Sequence, residues 1–233
     1  MPYRRNAYRK RRRFAKRRFN RAKKAGWSYS NAFAMAKSAL SQIWKIKGLI
    51  NSEMFKLDST SNIITIDGNT PASYAITNVA QGDGEGQRTG NSIFCRAYNL
   101  KGYLVKAATP TNTMVRIAVI MDIQQVGDTA PTWSNIYEST SVNAHLNSDT
   151  VGRYKILFNR LYRMDTSKIN TPVFINIAMR HHVRYNGTAS TDIQKGGLWL
   201  LVSSDQTSTS SPTFVYDSRL PYRDWETDLK SVV

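Results

Sequence analysis

The first acidic side chain in this sequence is Glu53, and residues 1–47 ahead of it carry sixteen Lys or Arg. A like-charge block of that density cannot collapse around a core of its own, because its charges repel until an anion neutralises them. The folded part must therefore be built from the residues C-terminal to it. There the remaining seventeen basic residues meet all sixteen acids, a balance of +1. Almost the whole net charge of +17 sits in the first fifth of the 233 residues. A chain of this length suits one all-β domain with an arm better than two domains.

Residues 1–26 read as a disordered basic arm. Its thirteen cations are Arg4, Arg5, Arg9, Lys10, Arg11, Arg12, Arg13, Lys16, Arg17, Arg18, Arg21, Lys23 and Lys24, and aromatic residues, Tyr8, Phe14 and Phe19 among them, are interleaved. Cations that track phosphates and rings that stack on any base suit a single-stranded nucleic acid. All sixteen of these side chains are candidate nucleic-acid contacts. The cluster also matches a nuclear-localisation pattern, which would make nuclear import factors partners.

The pattern changes over residues 27–51. Ser28 or Ser30 can cap a helix, and Ala32, Phe33, Ala36, Leu40, Ile43 and Trp44 recur at spacings of three and four before Gly48. An amphipathic helix is expected over 28–48, packed under the domain through Phe33, Leu40 and Trp44. Lys37, Lys45 and Lys47 on the same segment are secondary candidates for nucleic-acid contact.

Short β-type runs occupy the rest of the chain, near 62–66, 73–79, 93–106, 114–123, 154–164, 173–185, 197–204 and 213–219. Val115, Ile117, Val119, Met121 and Ile123 alternate along one run. In another, Val173, Ile175, Ile177, Met179, His181 and Val183 face one way, and Asn176, Arg180, His182 and Arg184 the other. Alternation with one wet face indicates antiparallel sheets packed as a sandwich. Eight strands is the number a jelly roll needs. The connection from about Gln124 to Gly152 is long, and such loops on a sandwich are where partners are met.

No chemistry stands out. The glycines between Gln81 and Gly90 lack the Gly-Lys-Ser/Thr of a phosphate cradle, and Asp83 and Glu85 would repel phosphate. A glycine-shaped loop anchored by Arg88 is expected instead. His181 and His182 are adjacent and would point to opposite faces of a strand, so they cannot share a metal. Asp122, Asp128 and Asp149 could gather at a calcium site between subunits, the weaker reading of these carboxylates. Cys95, the single cysteine, reads as buried and inert. No catalytic residue, cofactor or metal is expected, so the chain does not read as an enzyme. No run of eighteen apolar residues is present, so membrane insertion is not expected either.

Several stretches resemble capsid proteins of small circular, Rep-encoding single-stranded DNA viruses, the circovirus-like group. They are the run from Ala36 through Leu40 and on to Ile46–Glu53, the loop Gly82–Asn91 with its following strand, the strand Arg153–Asp165, and the closing Phe214-Val215-Tyr216. The likeness extends to about Tyr222, and residues from about 224 onward match no pattern of the group. The resemblance implies a single eight-stranded antiparallel jelly-roll shell domain over 52–222, with a tail of unassigned role at 223–233. It further implies a homo-oligomer of sixty copies in a T=1 icosahedral virion, assembled in the host nucleus around single-stranded circular DNA. Two other classes share parts of the pattern. A cellular basic-arm nucleic-acid-binding protein would share the arm without needing the large sandwich. The coat protein of a small satellite-like RNA virus would share both, and nothing in the arm separates ribose from deoxyribose.

Overall fold

The computed structural model describes residues 29–50, 56–124 and 129–224, with side chains of the first segment described over 33–43. The chain forms two compact units, residues 1–53 and 54–233. The first holds helix α1, Tyr29–Ile50, close to the span expected from its spacing. Alanine at 32, 34, 36 and 39 favours the helix by intrinsic propensity. All described side chains over 33–43 are exposed, with Phe33 at 76% and Leu40 at 56%. The side chain of Trp44 lies outside the described residues.

The second unit is all-β. Its strands are β1 (Lys56–Thr65), β2 (Ala72–Ala75), β3 (Ser92–Val105), β4 (Asn112–Asp122), β5 (Tyr154–Asp165), β6 (Asn170–Tyr185), β7 (Ile193–Lys195), β8 (Gly197–Ser204) and β9 (Thr213–Asp224), with a short helix α2 (Trp133–Ile136) between β4 and β5. They form a five-stranded sheet in the order β1-β9-β3-β6-β7 and a four-stranded sheet in the order β2-β8-β4-β5. Every ladder between these strands is antiparallel. One hydrophobic cluster draws on both sheets, including Ile93, Leu100, Leu104, Val173 and Phe214 from the first and Ile117, Val119, Leu200 and Val202 from the second. This is an antiparallel sandwich with its core between the sheets.

Each of the eight expected runs is a strand, and a ninth, β7, was not anticipated. It arises where the chain bends at Gly196, which has φ +76°. A Cβ there would lie 2.5 Å from the His182 carbonyl. A glycine-only bend cuts one extended run in two, leaving Ile193–Lys195 on the five-stranded sheet while Gly197–Ser204 crosses to the other. At its far end β9 runs through Asp224, two residues past the expected limit of the domain.

The two sheets differ in their outer faces. Strand β6 alternates as expected, with Val173, Ile175, Met179 and Val183 buried and Asn176, Arg180, His182 and Arg184 exposed. Strand β4 does not, for nearly every residue from Val115 to Asp122 is buried, and all of β8 is. The expectation of one wet face fails for β4 and β8 because the β4–β5 connection folds back over them, while β5 keeps exposed residues such as Lys155 and Arg163. Trp133, Ile136, Tyr137 and Val142 of that connection are buried. Arg116 donates from Nη1 to the carbonyls of Val142 (3.1 Å) and Ala144 (2.7 Å), and its guanidinium lies 4.2 Å from the Tyr137 ring centroid. The loop's ends are clasped by Arg153, whose Nε and Nη2 reach the two carboxylate oxygens of buried Asp122 at 3.0 and 2.8 Å.

Candidate nucleic-acid interface

The thirteen arm cations, with Tyr8, Phe14 and Phe19, lie outside the described residues. Lys37 is exposed on α1, and the side chains of Lys45 and Lys47 lie outside the described ones. Within the sandwich, charge is far from evenly spread.

The outward face of the five-stranded sheet is set by its register. Asn99 of β3 pairs with Asn176 of β6 on one side and Arg219 of β9 on the other. One step along, Lys101 pairs with Phe174 and Asp217, and beyond it Tyr103 pairs with Pro172 and Val215. Directly opposed residues share a face, so these nine side chains lie on one surface. Toward the other end of β6 the same surface carries exposed Arg180 and Arg184. Asp217 is the single carboxylate among the strand residues of this face. The neighbouring acids point elsewhere. Asp224 is buried and bridges to Lys56 at 2.6 Å. Asp58 faces inward beside Tyr74, Tyr98 and Tyr216, where burial raises its pKa.

This surface was not legible as such. A balance of +1 for the body hides the sorting of its charges. The alternation of Arg180 and Arg184 marked one strand's wet face, but nothing local told that Lys101 and Arg219, separated by over a hundred residues, stand beside it.

The other candidates resolve into structural roles. Arg88 is fully buried. It donates to the carbonyls of Val79 (3.1 Å), Gly90 (2.5 Å) and Gly187, and stacks 4.0 Å from the centroid of the Tyr185 ring. The glycine loop is thus pinned by Arg88, as expected, with Gly82 donating to the Arg88 carbonyl at 2.9 Å. Cys95 is buried, and burial pushes its thiol up to about 12. His181 is half-buried with a ring nitrogen 3.1 Å from the Gly196 carbonyl, whereas exposed His182 packs on Phe94 with centroids 4.9 Å apart. Burial lowers the pKa of both. The Asp122 carboxylate is engaged by Arg153, Asp149 is exposed, and Asp128 lies outside the described residues. No three His, Cys, Asp or Glu side chains gather into a metal-binding group among the described residues. No helix among them is long and apolar enough to cross a membrane.

No family model matches the chain, and no curated protein matches it.

Proposed function

We propose that this chain is the capsid protein of a small single-stranded DNA virus, a jelly roll that assembles into an icosahedral shell and packages its genome through the basic arm. The observation that carries the reading is the strand order. A row β1-β9-β3-β6 opposes a row β2-β8-β4-β5, and apart from β4–β5 and β6–β7 every connection passes from one sheet to the other. That winding is expected of a jelly roll, with β7 an appendage at one edge. Joined to a block of sixteen uncompensated cations, it unites a self-limiting building block with a phosphate-neutralising tail.

The two parts contribute different terms. Loops and strand edges of the sandwich supply symmetry-repeated, specific contacts between copies. The arms supply a sequence-independent term that releases counterions and weakens with salt. Sixty arms would carry about eight hundred to a thousand charges into the lumen, enough to neutralise much of a genome of ~1–2 kilobases. Entry into the nucleus would use the same arm.

Electron microscopy of the purified chain tests the reading. Closed particles of about 20 nm are expected from sixty copies of a domain this size, and a persistent monomer would overturn it. Deleting residues 2–24 should leave particles or a folded sandwich that retain little nucleic acid. Full packaging by that variant would remove the arm from the mechanism. Sensitivity of the extracted nucleic acid to DNase or RNase identifies the genome.

A further inference from the structure

We infer that the outward face of the five-stranded sheet is a second binding surface for single-stranded polynucleotide, separate from the arm, which grips phosphates with Lys101, Arg219, Arg180 and Arg184 and stacks bases on Phe174 and Tyr103. The inference rests on the nucleic-acid reading of the arm only for its choice of polyanion. The surface itself is argued from the sheet.

Three observations converge on it. The first is charge: four exposed cations from three strands share one face with Asp217 as its single strand carboxylate, although the body as a whole is near neutral. The second is aromatic exposure. Phe174 is 68% and Tyr103 47% exposed, and in this register they are diagonal neighbours about 7–8 Å apart. Large rings left uncovered beside cations are what single-strand binding requires, since every base offers a π-face. The third is shape, for Asn99, Lys101, Asn176, Asp217 and Arg219 line a depression of about 460 Å³ in the face. The two amides there can hydrogen-bond base edges or sugar, and the flanking cations can hold the backbone.

The arrangement favours a single strand over an anionic membrane or an acidic protein segment. A headgroup layer would meet the cations and take up the rings, but it would leave the recessed Asn99 and Asn176 amides without the base edges or sugar they can hydrogen-bond. An acidic helix would set its carboxylates against Asp217 and leave the rings unmatched. Asp217 itself sets a polarity: it stands opposite Lys101 in the β3–β9 register, so the phosphate path runs on from Lys101 toward Arg219, Arg180 and Arg184, and bases lie over the ring side.

The experiment uses the full chain. A (dT)n oligonucleotide carrying 5-bromodeoxyuridine, photo-cross-linked and mapped by mass spectrometry, should label peptides containing Tyr103 and Phe174 in addition to arm peptides. Lys101→Gln with Arg219→Gln should lower the salt slope of binding by about 1.4, at roughly 0.7 per phosphate contact on a single strand. Phe174→Ala should weaken (dT)n binding about tenfold while sparing an abasic oligomer of equal length. Asp217→Asn should tighten binding by roughly twofold to fivefold at low salt, a gain that misfolding cannot mimic. Cross-links confined to residues 1–47, with slope and Asp217→Asn affinity unchanged, would overturn the inference. Equal losses for (dT)n and abasic oligomer in Phe174→Ala would overturn its stacking half. Failure to form particles would sink the shell reading and leave these outcomes readable.

Discussion

Arg88 shows how a single buried charge can hold a loop that looks like a ligand site. Its guanidinium satisfies three carbonyls from three separate stretches while lying on the Tyr185 ring. Lysine has the charge but not the planar fork, so Arg88→Lys and Arg88→Ala should both destabilise the fold, each by about 3 kcal/mol or more, read by chemical denaturation. A Lys variant as stable as the parent would show the fork to be dispensable. Asp58 offers a pH test. Burial raises its pKa from 3.8, so its charged form opposes folding at neutral pH. That opposition is relieved as pH falls through its folded pKa toward 3.8. Asp58→Asn should therefore melt higher than the parent at pH 7, with the advantage shrinking as the solution is acidified. A constant difference across pH would exclude the carboxylate as its source. Cys95, with its thiol pushed up to about 12, should resist a thiol-reactive dye until the chain unfolds, and rapid labelling of the native protein would contradict its burial.

Among the elements, the β4–β5 connection departs furthest from what local pattern suggests. It is a long loop that behaves as a third layer, covering the four-stranded sheet and sealing Arg116 beneath it. Its clasp is asymmetric: Asp122 is fully buried while Arg153 remains partly exposed. Removing Arg153 strands a buried carboxylate, whereas removing Asp122 frees a cation that can turn to water. Arg153→Ala should thus cost about 3 kcal/mol, clearly more than Asp122→Leu, and hydrogen exchange over 129–153 should rise with it. Equal costs for the two variants would mean that the ion pair does not secure the loop. The bend at Gly196 is the other local device, since a side chain there would meet the His182 carbonyl and carry an unfavourable φ.

At the scale of the whole molecule, local sequence carried a good deal. The cationic segment was legible because charge repulsion needs no partner to be read. The eight strand runs, and the division of β6 into Val173, Ile175, Met179 and Val183 against Asn176, Arg180, His182 and Arg184, were legible because side chains alternate strictly along an extended backbone. Burial of Cys95 and the anchoring role of Arg88 came from residue type in context. For α1, helical spacing said which side chains share a face and nothing about what meets it. The double burial of β4 and β8 depended on a loop folding back across dozens of residues. Charge sorting on the five-stranded sheet depended on β3 lying between β6 and β9, so that Lys101, Phe174 and Arg219 meet. The sequence by itself determined where charge and alternation lie along the chain, since both are properties of neighbouring residues. Only the tertiary structure decided which faces stay wet and which cations stand together, because strand order is set by long-range pairing and by what the core can bury.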